Sequence, residues 1–277
     1  MMTDTVARSD LGTAAWPSTS ARTSLITEAW VLTLRQLTVW VRDKTTLFQC
    51  IVVPVISMVM FKVVLGDTIG QATGQDSAYG TVPLVILLSA MYGALGAGVR
   101  LNVEAGGGLL ARLYVMPIHR TADLAGRIAA ELLRILLTTI LLIGTGYLIG
   151  FRLPGLPALI GMTGVALLYG AAFSVMVLAL AVSSPPRSPI VPSLSLVTTL
   201  LMFFNTGFAP ADSYPTWLQP FVENQPMSPA IDTMRALATG EELGTDLMKT
   251  VLWAMLVAGL SIYPAIRGYR KSATRRG

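Results

Sequence analysis

Apolar positions along this chain come in blocks, not in stripes. Six nearly uncharged runs, at about 47–65, 81–101, 132–151, 157–182, 189–209 and 250–266, are each long enough to read as a membrane-spanning helix. Lys62 interrupts the first run near one end, where a long stem can carry its amine toward the headgroups. The pattern predicts an all-α, polytopic membrane protein with six transmembrane helices. Between the runs the chain becomes polar. Residues 1–23 are Ser/Thr-rich and read as a disordered cytosolic tail without the apolar stretch of a signal peptide. Residues 24–270 form the transmembrane domain, and 271–277 a basic cytosolic tail. At 24–44, Leu25, Ala29, Leu32, Gln36, Val39 and Val41 are mixed with Trp30, Trp40 and Arg35. This mixture predicts an N-terminal interfacial helix; the other reading is an extension of the first span.

Charge sets the orientation. Only 13% of the residues are charged, against about 25% in soluble domains. Sixteen of the twenty Lys and Arg precede the first span, lie at 100–134, stand at Arg187 or follow the last span. Basic residues accumulate on the cytosolic side, so both termini are expected there, in a multi-pass plasma-membrane protein. The net charge of +5 then reflects orientation and implies no nucleic-acid partner.

Small residues recur at helical spacing: Ala90, Ala94 and Gly98 in the second run, Gly146 and Gly150 in the third. Such faces let helix backbones approach closely in lipid. The segment 210–248 is Pro- and aromatic-rich and predicts short helices at the outer interface, resting there or re-entering. Within it Asp232 and Arg235 stand three apart and predict a structural ion pair, as do Glu131 and Arg134 at the inner end of the third run.

Chemistry of the chain's own is missing from this pattern. One cysteine (Cys50) and one histidine (His119) exclude an internal disulfide and any multi-histidine or multi-cysteine metal site within the chain. No phosphate-binding G-x-x-x-x-G-K-[ST] and no nucleophile elbow occur. Neither a metal, nor a cofactor, nor a catalytic constellation is expected. The energy for any work must come from a partner.

One stretch breaks the monotony, "EAGGGLLARLYVMPIHR" at 104–120. Three glycines are followed by Leu109, Leu110, Leu113 and Met116 at helical spacing, with Arg112 on another face and Pro117 as the stop. A short amphipathic helix in a cytosolic loop, 102–121, is expected, suited to a protein groove or to the inner leaflet. Glu104, Gly106, Leu109, Arg112, Leu113, Pro117 and Arg120 resemble the signature loop of ABC-2 type exporter permeases. The resemblance runs from about Ser24 to Arg270 and includes the outer segment "NQPMSPAIDTMRAL". "NVEAGG" and Gln225-Pro226 stand where that family usually has an Arg-rich start and Asn-Pro. Length and N-terminal sequence are most similar to its daunorubicin-resistance type.

The resemblance implies that 104–120 is a coupling helix docking on a separate, dimeric ABC ATPase subunit. ATP and Mg would belong to that partner. It also implies a second six-span permease, homologous or identical, and a cargo that is a hydrophobic lipid of the phthiocerol dimycocerosate kind or an amphipathic drug. The alternative function is a non-transporting membrane scaffold for lipid-synthesis enzymes; an intramembrane lipid-modifying enzyme is more distant.

Overall fold

The computed structural model describes residues 25–107, 122–185 and 187–274. The 1–23 tail, most of the 104–120 stretch and the last three residues lie outside them. Helix α1 is Leu25–Arg42. Asp43 leaves helical geometry (ψ 96°) and accepts a hydrogen bond from the Thr45 amide, starting α2 at Lys44–Leu47. Thus α1 is a separate helix, not an extension of the first span. A π turn, Phe48–Val52, leads without a break into α3, Val53–Thr73. Then follow α4 (Ala78–Gly106), α5 (Ala122–Leu148), α6 (Leu156–Ser183) and α7 (Ile190–Phe203). The short α8 (Gln219–Asn224), α9 (Met227–Thr239) and the long α10 (Asp246–Thr274) complete the order.

The chain is an all-α polytopic membrane protein. Among the described residues five segments are long and apolar enough to cross a membrane: Phe48–Gln71, α4, α5, α6 and the Asp246–Gly268 part of α10. The sixth, α7, is apolar but only 14 residues long. At 1.5 Å per residue it reaches about 21 Å, short of a ~30 Å hydrocarbon layer. The expected run to residue 209 stops at Phe203 because side-chain amides take over the terminal carbonyls. Asn205 Nδ2 donates to Leu201 O at 3.1 Å and to Met202 O, and Gln225 Nε2 donates to Phe204 O. The last helix instead runs past the expected end at 266 to Thr274.

The bundle is organised around α4 and α6. Helix α6 packs on α10, α4, α5, α9 and α7, while α4 also meets α5, α9, α7 and α3. Their closeness comes from missing side chains. A Cβ on Gly98 of α4 would lie 2.4 Å from Val177 Cγ1 of α6. One on Gly170 of α6 would lie 3.2 Å from the Cβ of Ala90 and 2.5 Å from Ile135. Ala90 and Ala94 are buried on this same face, inside the chain. Gly146 of α5 sits against Val82 at the start of α4. Gly150 is a correction: α5 ends at Leu148, and Gly150 turns the chain with φ 104°, a conformation costly for any other residue. It belongs to a turn, not to a helix-packing face.

Gly98→Ala is expected to lower the thermal midpoint of the purified chain, by overpacking worth about 1–3 kcal/mol against the stiff Val177. Gly144→Ala, whose Cβ meets nothing within 4 Å, is the matched control and should leave the midpoint unchanged or raise it.

Candidate functional site

Helix α4 joins three places where polar groups enter an otherwise apolar bundle. At its C-terminal end, Asn102 Nδ2 donates to the carbonyl of Ala181 (3.0 Å), an acceptor that the end of α6 leaves open, and to that of Pro185 (3.1 Å) just beyond it. Two residues on, Glu104 accepts from Arg127 Nη2 at 2.6 Å. Arg127 Nε in turn donates to Asp123 at 2.7 Å, one turn back on α5. Asn102 and Glu104 belong to the "NVEAGG" departure, and both tie the root of the 102–121 loop to neighbouring helices. Helix α1 joins this end too. Gly126 of α5 lets the backbone of α1 approach until its Cβ would lie 3.0 Å from Ala29 O, and Thr33 Oγ1 donates to Gly126 O at 3.2 Å.

Of the three glycines, Gly106 is the last residue of α4, and Gly107, at the cap, has φ −82°. The helix reaches Gly106 because the carbonyls of Val103 and Glu104 still find the Gly107 amide. Leu109, Leu110, Arg112, Leu113, Met116, Pro117 and Arg120 lie outside the described residues.

The second place is midway along α4. Arg134 Nε donates to Glu131 Oε2 at 2.8 Å, and its two terminal nitrogens donate to the carbonyls of Ser89 and Ala90, each at 3.2 Å. Both residues of the pair are buried. Because α5 begins at Ala122, the pair stands near the middle of that helix, not at an inner end. Counting charges places the start of the span after Glu131; the structure pairs Asp123, Arg127, Glu131 and Arg134 and so carries the helix through them. Gly93 makes room for the guanidinium, since a Cβ there would lie 1.9 Å from Arg134 Cζ. The sequence signal for this was present: Gly93 lies one residue off the Ala90–Ala94–Gly98 stripe, on a face that stripe does not use.

Beside this pair, a cavity of about 580 Å³ lies between α3 and α4. Val53, Ser57 and Phe61 line one wall, Val85, Ser89, Gly93, Gly96 and Arg100 the other, and Met202 of α7 adds to it. The π turn places Gln49 and Cys50 on the first wall, and Trp40 Nε1 lies 3.5 Å from Cys50 Sγ. At the far end Phe61 meets Phe208 edge to face, centroids 5.2 Å apart.

The third place is the segment after α7. Residues 210–248 do not rest on the surface as a whole: α9 is largely buried, packed on α6, α4 and α10. Asp232 and Arg235 form their local pair at 3.1 Å, and both also hold Thr206, the carboxylate through its hydroxyl at 2.9 Å and the guanidinium through its carbonyl. Gly207 presses its carbonyl onto Gly80 of α4. Irregular backbone at this depth is tolerated because protein groups satisfy it. At the α3–α4 corner Lys62 reaches Asp76, which also accepts from the Ala78 amide at 2.8 Å. Burial opposes ionisation of Asp76, but Lys62 and that amide outweigh it and hold its carboxyl below the ordinary value.

An all-α bundle of membrane-length apolar helices with a cavity between α3 and α4 is the architecture of a multi-pass membrane protein. Residues 27–238 match the ABC-2 type transporter family, and the chain belongs to it. Over 276 residues it is 35% identical to a probable doxorubicin resistance ABC transporter permease protein, DrrC, of Mycobacterium tuberculosis, covering 99% of this chain and 100% of that one. It is 25% identical over 197 residues to the daunorubicin resistance ABC transporter permease protein DrrB1 of Streptomyces coeruleorubidus, covering 70% and 69%. The doxorubicin resistance permease DrrB of Mycobacterium tuberculosis is 29% identical over 197 residues, covering 69% and 66%. Permeases of this family are transmembrane subunits that work with a separate ATPase.

Removing one partner of the buried Arg134–Glu131 pair should cost about 3–5 kcal/mol, because an uncompensated charge remains. Glu131→Gln alone is therefore expected to lower the yield of folded protein in membranes more than Glu131→Gln with Arg134→Gln. Equal yields from single and double changes would make the pair incidental.

Proposed function

We propose that this chain is the permease subunit of an ATP-driven exporter that carries a hydrophobic lipid, of the phthiocerol dimycocerosate kind, or an amphipathic drug outward. The named drugs of its relatives, doxorubicin and daunorubicin, suggest the second kind of cargo. A long apolar wall along α3 and α4 suits either. The observation that carries the reading is the continuity of α4: one helix runs from the loop root at Asn102 and Glu104, past Arg134, along the cavity, to Gly80 against Gly207. A force on the loop would reach the cavity wall without crossing a flexible joint.

In this reading the 104–120 stretch is the coupling helix. Leu109, Leu110, Leu113 and Met116 enter a groove of a dimeric ATPase partner that holds ATP and Mg, with Glu104, Arg112 and Arg120 at the rim. Apolar anchors carry most of such an interface, and rim charges set register and rate. A second permease, identical or homologous, completes the path. Both termini and the 102–121 loop face the cytosol, and 210–248 faces outward, in the plasma membrane.

Leu113→Asp should abolish co-purification of the ATPase at matched membrane expression, while Arg112→Ala weakens it less. Undiminished recovery with Leu113→Asp would remove the coupling assignment. Orientation is checked on a Cys50→Ser background with Glu223→Cys, an exposed position in α8. Labelling from the outside only is expected; labelling from the cytosol only would invert the topology.

A further inference from the structure

The α4 wall of the cavity is graded along its length. Val85, Leu88, Ser89, Gly93, Gly96 and Arg100 share one face of the helix. Ser89 and Arg100 are eleven residues apart, so about 16 Å separates them along the axis. The end near Val85 is apolar, with Phe61 on the facing wall. The other end holds Arg100, which is partly buried and folds back along α4, its Nη1 3.8 Å from where a Cβ of Gly96 would lie. Among the described residues Arg100 makes no hydrogen bond and no ion pair, whereas Arg127 holds two carboxylates and Arg134 holds one. Ser89 Oγ is likewise buried without a partner. Among the described residues no Asp or Glu lines the cavity. A cation and a hydroxyl left unsatisfied along an apolar wall call for a ligand that brings acceptors with it.

We infer that this cavity binds an amphipath whose head is an oxyanion, phosphate or carboxylate, on Arg100, with its chain lying along Ser57, Phe61, Val85 and Leu88 toward Met202. Guanidinium is the side chain best suited to such a head, pairing it through two parallel N–H donors. The volume, about 580 Å³, is that of a site for a drug-sized molecule or one lipid chain. A cationic head finds no carboxylate in this lining and meets Arg100 as a like charge. Binding itself is independent of ATP and of the exporter reading above; the ligand is an occupant distinct from the cargoes named there.

The test uses two probes with one tail and opposite heads, dodecyl phosphate and dodecyltrimethylammonium, titrated below their micelle concentrations into the purified full chain. The parent should bind the phosphate at least tenfold more tightly than the ammonium. Arg100→Gln should weaken the phosphate at least tenfold, and Arg100→Lys should restore most of the loss. Gly96→Leu, which puts a side chain into the cavity and keeps the charge, should also weaken it, and serves if Arg100→Gln does not fold. Equal affinity for both heads, or phosphate binding unchanged in both Arg100→Gln and Gly96→Leu, overturns the inference. Native mass spectrometry separates two sources of the head. Phosphatidylglycerol that co-purifies with the parent and is lost in Arg100→Gln identifies a resident phospholipid. Binding of dodecyl phosphate to a chain that carries no such lipid identifies a transient ligand; either outcome supports the site. An ATPase recovered alongside a parent that shows no Arg100-dependent binding overturns this inference alone. Arg100-dependent binding without a recoverable ATPase overturns the exporter reading alone.

Discussion

A guanidinium inside a membrane helix bundle is costly unless polar groups meet its donors. Arg134 meets that constraint with one carboxylate and two backbone carbonyls, and the solution fixes much of what surrounds it. Residue 93 must be glycine-sized. Helices α4 and α5 must pair in one register, since a shift of one residue would take Ser89 and Ala90 away from the guanidinium. Helix α6 then packs on the remaining face through Gly98 and Gly170. Packing alone gives membrane helices a weak preference for one arrangement, as lipid tails are as apolar as the side chains they replace. A buried donor group with directional needs selects among the arrangements that packing leaves.

The same logic operates where the chain is not helical. The segment after Phe203 has carbonyls and amides that helix geometry would have satisfied. Asn205, Gln225 and Ser228 now meet them, and Arg235 covers Thr206 O. Gln225 thereby has a physical role at the position where the family usually carries asparagine. Its longer side chain spans from the start of α9 back to the end of α7.

The apolar runs, the all-α class and the separation of α1 were legible in the sequence because membrane-length blocks of uncharged residues have few other uses. The stripe Ala90, Ala94 and Gly98 was also legible as a packing face, but not its partner, which tertiary contacts alone reveal as Val177 and Val191. Charge counting misplaced the start of α5. Four charged residues at 123, 127, 131 and 134 look like a loop until their pairing is known. Gly150 misled for a different reason: spacing of four suggests a helix face, yet a positive φ is invisible in composition. The cavity depends on how α3 and α4 face each other, and that relation lies between elements, beyond the reach of periodicity.

The π turn at Phe48–Val52 has a consequence for how this membrane helix tolerates insertion and deletion. Such a turn holds one residue more than an α-helix needs between the same two faces. Loss of a single residue there could return the turn to α geometry and leave Ser57 and Phe61 facing the cavity. Loss of a residue within 55–60 would instead turn everything between it and Thr73 by roughly 100° relative to α1. Phe61 would then take the exposed place of Met60, and Lys62 would stand where Phe61 now faces the cavity. Length variation among descendants of this chain is therefore cheap at one turn of the helix and disruptive at the next.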